Sequence, residues 1–462
     1  MSSADAPSDL PFSPSPCSFS FRAIRQLQKK KKDQQGEGER PPTGTLCATM
    51  NPTDRRTFLV QGAGLAGAFA FAPALDLARA LPRQAAPVDV AVIGAGKQGR
   101  AILGELVKLP QVRVAAVCDV NDGRLKSGLR RVQGAKGYAT HKELLEKEPS
   151  VAAVFVATPT HQHVQPCADA LAAGKHVYCE SPLASTLEDG RALVKATRAA
   201  KGVFHTGMQG RSNPIYKLAR DFARSGAIRN VSSMRGQYHK KTSWRAPVSD
   251  PSEEAALNWA LDPAVSLGLV GEFGIQQFDV FHWFLEAYPT SVRGGGSIQL
   301  YNDGRKLPDT VRCEFAYPGN RRLEYAATLC NSFEGQFEQF HGEMGTIKLA
   351  WNAGWLFKEA DAPTQGWEVY AIREQFHDEQ GIALIADATK LAAHNKLKEG
   401  VGLPNPPLWY ALSDFLKSAL DGAPVACSAE EGLRAAAVGI LARQAIESGG
   451  EVAIEESALK PE

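Results

Sequence analysis

The sequence has no strong net charge and almost no long hydrophobic run. It contains 52 Lys and Arg against 50 Asp and Glu, a formal net charge of +2, and the basic residues are scattered. A nucleic-acid partner is therefore not predicted, because such proteins concentrate positive charge on one surface. Outside residues 58–75, no segment is apolar enough to span a membrane.

The sequence also lacks cysteine pairs at metal-binding spacing. Its 8 cysteines lie far apart, without a CxxC pair or a Cys/His pattern typical of zinc sites. We therefore predict no metal centre. Cys118, Cys167 and Cys179 fall in apolar strand or helix patterns, where a thiol behaves as a small core residue. The chain is also much larger than disulfide-stapled scaffolds, so we expect buried thiols.

The composition is that of a globular protein with a polar N-terminal extension. With 462 residues, of which 44% are hydrophobic and 22% charged, the chain is long enough for two to three domains. Residues 1–49 mix Ser, Pro, Gly and Gln with a lysine run. This composition predicts a disordered N-terminal extension.

Residues 50–80 have the layout of an export signal. The pair Arg55-Arg56 precedes a weakly apolar, Gly/Ala-rich run from Phe58 to Leu75, and Ala-Arg-Ala follows at 78–80. This pattern is typical of a twin-arginine signal with an A-x-A cleavage site, and predicts a periplasmic or extracellular protein. A membrane anchor is the alternative, although the run barely reaches the ~20 residues that a spanning helix needs. After signal removal we expect no membrane association.

A glycine-rich loop follows the first apolar strand. Residues Val88 to Ile93 run directly into Gly94-Ala95-Gly96-Lys97-Gln98-Gly99, and a helical pattern comes next. The first glycine permits a tight turn, the second admits a pyrophosphate, and the third lets helix and strand pack closely. This placement between strand and helix is what a dinucleotide-binding motif requires. The loop residues predicted to bind the cofactor are Gly94, Gly96, Lys97, Gln98 and Gly99.

The next strand indicates which dinucleotide is bound. The segment VRVAAVCDV ends at Asp119, which lies 20 residues after Gly99. A carboxylate there accepts hydrogen bonds from the adenosine ribose diol and repels a 2′-phosphate. NAD is therefore predicted in preference to NADP. The alternative is that Asp119 only caps the following helix.

Strands and helices alternate through the first half of the folded chain. Apolar strands are predicted at 151–158, 176–180 and 202–207, with helices ending near Ala173 and near Ala200. This alternation predicts a doubly wound parallel sheet, in which ligands bind at the carboxyl ends of the strands. The segments expected to line one cleft are Thr158-Pro159, Glu180-Ser181-Pro182 and Met208-Gln209.

The second half reads as strands with a long terminal helix. Strands are predicted at 231–238, 310–317 and 321–329, and a Pro-Gly-Asn turn joins the last two as a hairpin. A helix is predicted within 428–449, starting at a capping box of Ser428 and Glu431. Packing explains this helix, so we assign it no chemistry.

Together, GxGxxG, CDVND, ATPTHQHV and GKHVYCESP resemble the Gfo/Idh/MocA oxidoreductase family, and the likeness runs from Val88 to the C-terminus. The resemblance implies an NAD-binding Rossmann domain at 86–207 and an α/β substrate and oligomerisation domain at 208–455. The second domain would be built on a large, open, mostly antiparallel sheet. The implied reaction is oxidation or reduction of a sugar or sugar derivative. A homo-oligomer through the open sheet is also implied, because that face needs cover.

The resemblance also assigns cofactor contacts outside the glycine loop. Besides Asp119, the matching positions are Thr158, Pro159, His163, Glu180 and Gln209. His161 and His163 begin a helix beside the predicted cleft, where the alternative to a site role is capping of that helix. His205 is expected in the core.

The sequence departs from the family at its proton-handling positions. Family dehydrogenases usually carry Glu-Lys-Pro, with the Lys near the substrate hydroxyl, but Ser181 stands at that position. A family helix typically offers an Asp and, four residues later, a His; here these positions read Glu272 and Gln276. Asp279 and Trp283 keep the expected downstream spacing. The usual acid/base therefore cannot be carried over.

Glu272 is the best candidate for a replacement base. Its side chain is one methylene longer than Asp, and desolvation in a closed cleft would raise its pKa toward neutrality. The alternative is a solvated carboxylate at the start of a helix. Gln276 cannot act as a base, and Ser181 could only relay a proton.

The segment YHKKTSWR, residues 238–245, offers further candidates. Tyr238 or Lys240 could occupy the space left by the absent lysine, and Trp244 could stack on a sugar ring. The alternative is an exposed basic loop.

Three functions remain open. The first is an exported NAD-dependent oxidoreductase of sugars that holds and internally recycles its NAD, since no exchangeable NAD pool exists outside the cytoplasm. The second is a redox-neutral, NAD-dependent glycosidase or lyase. The third is a non-catalytic cofactor-binding protein with a degenerate site.

Overall fold

The computed structural model describes residues 86–462, except for Ser249, Asn395 and the side chain of Tyr370. The predicted extension (1–49) and export signal (50–80) lie outside the described residues. Within the described part, no helix combines the length and the apolar character needed to cross a membrane.

The first sheet consists of six parallel strands in the order β3-β2-β1-β4-β5-β6. Their bounds are β1 Val88–Ile93, β2 Val112–Cys118, β3 Lys136–Tyr138, β4 Ala153–Val156, β5 His176–Glu180 and β6 Phe204–Gly207. This order reverses direction between β1 and β4, as in dinucleotide-binding sheets. The predicted doubly wound parallel sheet is confirmed.

Five helices connect these strands. They are α1 Lys97–Leu106, α2 Asp122–Leu129, α3 His141–Lys147, α4 Val164–Ala172 and α5 Leu187–Ala199. Three start at a polar cap, because the side chains of Asn121, Thr140 and Thr186 each accept a hydrogen bond from a backbone N–H of the first turn. These caps therefore fix the residues at which the three helices begin.

The sheet core contains the predicted thiols and the predicted histidine. Cys118, Cys167 and Cys179 are buried and free, as expected. His205 is fully buried and lies nearly parallel to Tyr178, with ring centroids 5.5 Å apart. Desolvation lowers the pKa of His205 to about 4, so it is a neutral core residue at physiological pH.

The second sheet has ten strands in the order β14-β15-β13-β12-β11-β7-β10-β9-β8-β16. Their bounds are β7 Val231–His239, β8 Ser291–Ser297, β9 Thr310–Tyr317, β10 Arg321–Thr328, β11 Gln336–Gly342, β12 Gly345–Leu349, β13 Gly354–Lys358, β14 Arg373–Phe376, β15 Glu379–Ala383 and β16 Glu451–Ala453. All neighbours are antiparallel except β7 and β10. The predicted large, mostly antiparallel sheet is confirmed.

The hairpin of β9 and β10 shows why this sheet has two different faces. Val311, Cys313 and Phe315 point toward the core and are buried, whereas Arg312 and Glu314 alternate with them on the other face. This period of two matches one packed and one uncovered face. The uncovered face is where the sequence predicts association of subunits, and that association remains a prediction.

In the part of the chain that the structure describes, nine α-helices accompany the second sheet. They are α6 Gln209–Ser212, α7 Pro214–Arg224, α8 Glu254–Leu257, α9 Gly268–Glu272, α10 Gly274–Leu285, α11 Ala388–Ala393, α12 Pro407–Asp421, α13 Ala429–Ser448 and α14 Glu456–Leu459. The capping box of Ser428 and Glu431 starts α13 as predicted, and Gly449 ends it at φ 66°. Helix α13 packs against β8, α9 and α10.

A buried polar network lies between α10 and the second sheet. Glu338 is fully buried and accepts hydrogen bonds from the hydroxyl of Tyr216 at 2.6 Å and from Nε2 of Gln277 at 2.7 Å. Desolvation raises the pKa of Glu338 to about 7, although both hydrogen bonds act in the opposite direction. The carboxyl therefore takes up a proton on folding over a wide pH range.

This pKa predicts how Glu338→Gln changes stability. Between its ordinary pKa of 4.5 and about 7, the folded state binds more protons at Glu338 than the unfolded state. The stability contribution is thus complete below pH 4.5 and is lost as pH rises through 7. We expect the variant to match the native free energy of unfolding at pH 5 and to exceed it by roughly 1–3 kcal/mol at pH 8. Urea unfolding at both pH values checks this, and equal differences at both would contradict it.

Candidate active site

The glycine loop has the shape needed for a pyrophosphate. Gly94 adopts φ 93°, and a Cβ on Gly99 would lie 1.7 Å from the carbonyl oxygen of Gly94, so both positions require glycine. A Cβ on Gly96 would meet nothing within 4 Å, because Gly96 faces open space at the N-terminus of α1. These residues fit a dinucleotide phosphate group placed on the helix N-terminus.

Asp119 lies beside this loop, where the sequence places the adenosine ribose. Its Oδ2 accepts a hydrogen bond from the backbone N–H of Ala95 at 2.7 Å, and its Oδ1 accepts one from Asn121 at 2.8 Å. The carboxylate is therefore oriented by backbone and remains partly exposed. It does not itself cap α2, because the side chain of Asn121 is the cap.

Glu180 ends β5 and is joined to the glycine loop. Gln98 donates from Nε2 to Oε1 of Glu180 at 2.9 Å. Glu180 is only 6% exposed, and this burial raises its pKa to about 7 against the hydrogen bonds from Gln98, the Ser181 N–H and Tyr178. Lys97, in contrast, is exposed to solvent.

Ser181 occupies the position of the absent lysine. Its hydroxyl is buried, and it has no hydrogen-bond partner among the residues that the structure describes. An unsatisfied buried hydroxyl costs free energy, so it marks a place where a ligand hydroxyl could bind. The serine can therefore contact a substrate, although it is no base.

His163 links the loops that follow β4 and β5. It is 2% exposed, and its Nδ1 and Nε2 each lie 2.9 Å from a carbonyl oxygen, that of Pro182 and that of Thr158 respectively. Carbonyl oxygens only accept, so both ring nitrogens must carry protons for both contacts to be hydrogen bonds. Burial lowers the pKa of His163, but interactions with Cys179 and the two carbonyls outweigh it and leave the pKa raised. Both ring nitrogens are thus engaged by these loops, and a direct contact of His163 with the cofactor remains a prediction.

We expect His163→Gln to weaken cofactor binding by loosening the two loops. Glutamine can donate to one carbonyl at most from a similar position, so one loop loses its contact. A lost hydrogen bond typically costs about 0.5–1.5 kcal/mol, which corresponds to an increase of roughly two- to ten-fold in the Kd for NADH. Fluorescence titration with NADH measures this, and His377→Gln, at an exposed histidine after β14, serves as the control. An unchanged Kd in His163→Gln would contradict the clamp.

Gln276 joins α10 to the backbone at the end of β6. Its Nε2 donates to the carbonyl of Gly207 at 2.8 Å, and its Oε1 accepts from the backbone N–H of Gln209 at 3.1 Å. Both ends of the amide are therefore used on the backbone that follows β6. Gln276 therefore links α10 to Gly207 and Gln209, and its predicted place among the catalytic residues remains a prediction.

Glu272 is the carboxyl that reaches the first sheet from α9. Its Oε2 accepts from the hydroxyl of Thr160 at 2.8 Å, and its Oε1 accepts from the N–H of Leu267 at 3.0 Å. Desolvation raises the pKa of Glu272 to about 7, opposed by these two hydrogen bonds and by Arg443. The residue as a whole has intermediate exposure, whereas its carboxyl group is buried.

Thr160 and Phe273 were missed by the sequence analysis. Thr160 follows Thr158-Pro159 after β4, and this hydroxyl beside a predicted cleft is the signal that could have found it. Phe273 follows Glu272 directly, and its ring lies parallel to that of Tyr238 with centroids 4.3 Å apart. The ring of Trp244 lies 5.1 Å from Phe273 on a tilted plane. Tyr238, Phe273 and Trp244 therefore form an aromatic cluster, whose member Phe273 directly follows Glu272 in the chain.

The two candidate residues of the segment 238–245, Tyr238 and Lys240, differ in their burial. Desolvation raises the pKa of Tyr238 to about 12, so its hydroxyl stays protonated and can act as a hydrogen-bond donor. Lys240 is exposed, and its backbone N–H donates to the carbonyl of Thr328 at 3.0 Å. The structure thus buries Tyr238 against Phe273 and leaves Lys240 exposed to solvent.

A buried ion pair fixes the helix that follows Glu272. Asp279 on α10 receives two hydrogen bonds of 2.8 Å from Arg211, and both side chains are at most 4% exposed. Arg211 also pairs with Glu431 at the start of α13. The family spacing of Asp279 therefore has a structural reason, because it ties α10 to α6. No group of three potential metal-ligating side chains occurs among the described residues.

Two sequence models of one family match this chain. Residues 88–208 match the model described as the oxidoreductase family's NAD-binding Rossmann fold, and residues 225–454 match that of its C-terminal alpha/beta domain. Both belong to the Gfo/Idh/MocA family. The matches coincide with the two sheets described above.

Individual relatives are distant. Myo-inositol 2-dehydrogenase of Thermotoga maritima is 23% identical over 367 residues, which cover 79% of this chain and 98% of that protein. The uncharacterized oxidoreductase YrbE of Bacillus subtilis is 27% identical over 218 residues, covering 47% of this chain and 60% of YrbE. Levoglucosan dehydrogenase of Pseudarthrobacter phenanthrenivorans is 25% identical over 207 residues, covering 43% and 51%. The alignments with the last two thus span little more than half of those proteins.

Solved structures share the fold. Levoglucosan dehydrogenase in complex with NADH and L-sorbose superposes with a TM-score of 0.64 at 20% identity, covering 80% of this chain and 99% of that one. Myo-inositol 2-dehydrogenase from Lactobacillus plantarum gives a TM-score of 0.59 at 18% identity, covering 80% and 100%. Since the two family models together match well over half of the sequence, this chain belongs to the Gfo/Idh/MocA family of oxidoreductases and carries its NAD-binding Rossmann domain.

Proposed function

We propose that this protein oxidises or reduces a carbinol carbon of a sugar or sugar derivative, with NAD as cofactor and Glu272 as the proton-handling group. The observation that carries the proposal is the position of Glu272. It is a buried carboxyl whose pKa is raised to about 7 by desolvation, and it contacts the loop after β4. A base is most effective when its pKa lies near the working pH.

In this proposal the residues act on the hydroxyl proton. Bound NAD⁺ supplies the hydride acceptor for the carbinol carbon. Glu272 takes the hydroxyl proton as the carbonyl forms and returns it in the reverse direction. Thr160 and the Leu267 N–H occupy one acceptor direction on each carboxylate oxygen, which leaves others for a substrate hydroxyl. Ser181 and Tyr238 are proposed to orient the substrate through hydrogen bonds.

The substrate class rests on the relatives and on the aromatic cluster. The relatives include dehydrogenases named for myo-inositol and for levoglucosan. Tyr238, Phe273 and Trp244 form an aromatic cluster whose member Phe273 directly follows Glu272 in the chain, and aromatic rings pack against the apolar faces of sugars and cyclitols. A screen of sugars and cyclitols for NADH formation, followed by absorbance, tests the substrate class directly.

We further propose that NAD is held through the catalytic cycle. This follows from the predicted export signal, because an exported enzyme cannot exchange its cofactor with a cytoplasmic pool. Mass spectrometry of the small molecules released by denaturing the purified protein tests it. NAD near one equivalent is the expected result. Protein that carries no NAD and also fails to bind added NADH would overturn the proposed function.

A redox-neutral glycosidase or lyase is the second candidate, favoured by Ser181 at the lysine position. In that reaction a ring hydroxyl is first oxidised, a base removes the acidified adjacent C–H proton, and the aglycone leaves. Addition of water and return of the hydride complete the cycle, so no net oxidant is consumed. Release of nitrophenol from nitrophenyl glycosides without added cofactor supports this candidate. NADH accumulation with free sugars supports the first.

The third possibility, a cofactor-binding protein without catalysis, is tested by variants. Alanine replacements of Glu272, Tyr238 and Lys240 that leave every measured turnover unchanged would favour it. Two predictions about the assembled protein remain proposals: export by the twin-arginine route, and a homo-oligomer through the uncovered face of the second sheet. Cell fractionation and sedimentation analysis test them.

A further inference from the structure

One segment of the second half crosses to the first sheet. Residues 245–262, apart from Ser249, form what we call the strap. Asn258 holds the strap in shape, since its Oδ1 accepts from the N–H of Ala246 at 2.6 Å and its Nδ2 donates to the carbonyl of Ala246 at 3.1 Å. Arg245 pairs with Asp303 at 3.0 Å and with Glu254. The strap is thus a folded element anchored on its own side.

The strap touches the first sheet through three side-chain contacts. Asn121 donates from Nδ2 to Oε1 of Glu253 at 2.7 Å. The guanidinium of Arg124 lies 3.5 Å from the carbonyl oxygen of Leu257. The rings of His161 and Trp259 have centroids 5.8 Å apart. These contacts are spread along the strap rather than concentrated at one end.

The positions of these contacts place the strap over the glycine loop. Asn121 follows β2, and His161 follows β4. Strands β2 and β4 flank β1 in the sheet, and the glycine loop leaves the end of β1. An element that contacts the carboxyl ends of both flanking strands must pass in front of this loop. In such sheets the ligand lies in that crevice.

We propose that the strap is the outer wall of the cofactor site and that the Asn121–Glu253 contact controls how fast the dinucleotide leaves. This inference rests on the proposed function, because it requires that NAD binds in the crevice. It also gives a physical basis for retaining NAD through a cycle. The contact lies two residues beyond Asp119, so it closes the crevice at the adenosine end.

The donor and the acceptor of the Asn121–Glu253 hydrogen bond can be exchanged without disturbing α2. Oδ1 of Asn121 caps α2 by accepting from the N–H of Arg124 at 2.9 Å, and aspartate caps a helix equally well. Asn121→Asp therefore keeps the cap but sets two carboxylates against each other at the strap. Adding Glu253→Gln in the double variant restores a hydrogen bond, now donated by the strap side.

The experiment measures NADH release from the full-length protein by stopped-flow fluorescence, with excess NAD⁺ as the chase. We expect Asn121→Asp to release NADH roughly ten-fold faster, since a hydrogen bond to a charged group contributes about 1.5–3 kcal/mol. The double variant should return to within about two-fold of the native rate. Glu324→Gln on the exposed second sheet is the control and should leave the rate unchanged.

The outcomes distinguish a failure of the strap proposal from a failure of the proposed function. If the native protein binds NADH and all variants release it at the native rate, the strap has no part in retention. If the double variant stays as fast as Asn121→Asp, the effect comes from charge near Asp119 and the inference is overturned. If the native protein binds no NADH, the proposed function itself fails.

Discussion

Replacing Glu272 by glutamine is expected to lower kcat by roughly 10²–10⁴-fold, the usual contribution of a general base. Glutamine keeps the size of the side chain, and its amide can still accept from Thr160 or Leu267, so the fold should survive. It cannot take up the hydroxyl proton. The Kd for NADH should change little, because Glu272 contacts Thr160 and Leu267 rather than the glycine loop. Steady-state kinetics with the substrate found in the sugar screen measure both quantities.

The pH profile gives a second, independent check on Glu272. With a pKa of about 7, the carboxyl is ionised above pH 7, so the oxidation rate should rise through pH 7 to a plateau. Thr160→Val removes a hydrogen bond that lowers this pKa, and should shift the rise to higher pH. Glu338→Gln is the matched control, because Glu338 also has a pKa of about 7 but is buried in the core of the second sheet. A profile that is flat in the native protein would exclude Glu272 as the base.

Replacing Gly96 by alanine is expected to weaken dinucleotide binding by about 100-fold or more while leaving stability unchanged. The added methyl group meets no protein atom within 4 Å, and φ of −62° is allowed for alanine. It would, however, occupy space through which the backbone approaches the pyrophosphate. Fluorescence titration with NADH measures the loss, and thermal unfolding of the same sample measures stability.

Two further glycines test this interpretation. Gly295→Ala, in β8, also adds a methyl group that meets nothing within 4 Å, and should change neither binding nor stability appreciably. Gly99→Ala would place Cβ 1.7 Å from the carbonyl oxygen of Gly94, so it should reduce both together. If Gly96→Ala binds NADH with native affinity, the cofactor does not lie on this loop.

Much of the architecture could be predicted from short-range patterns. The parallel sheet is visible because buried strands such as Val90 to Ile93 read as continuous apolar runs, and polar caps such as Thr186 mark where helices begin. The hairpin of β9 and β10 is visible because its residues alternate with a period of two around a Gly-Asn turn. These signals act over a few residues, so no long-range information is needed.

The working state of the candidate site could not be predicted in the same way. The sequence identified Glu272 as a possible base but could not show that Thr160, 112 residues earlier, donates to it. It suggested a catalytic position for Gln276, whereas the structure engages both ends of that amide with backbone groups after β6. Such contacts depend on how the two sheets dock.

The sequence by itself determined that this chain has a dinucleotide-binding domain. The turn at Gly94, the open position at Gly96 and the carboxylate at Asp119 can be read locally, because they are requirements of backbone geometry and charge. Only the tertiary structure decided which polar groups remain available for chemistry. Ser181 has a buried hydroxyl without a hydrogen-bond partner among the described residues. The side chains of His163 and Gln276, in contrast, are hydrogen-bonded to backbone groups. The physical reason is that a side chain's pKa and free hydrogen-bonding capacity depend on neighbours brought close by folding, which sequence spacing does not specify.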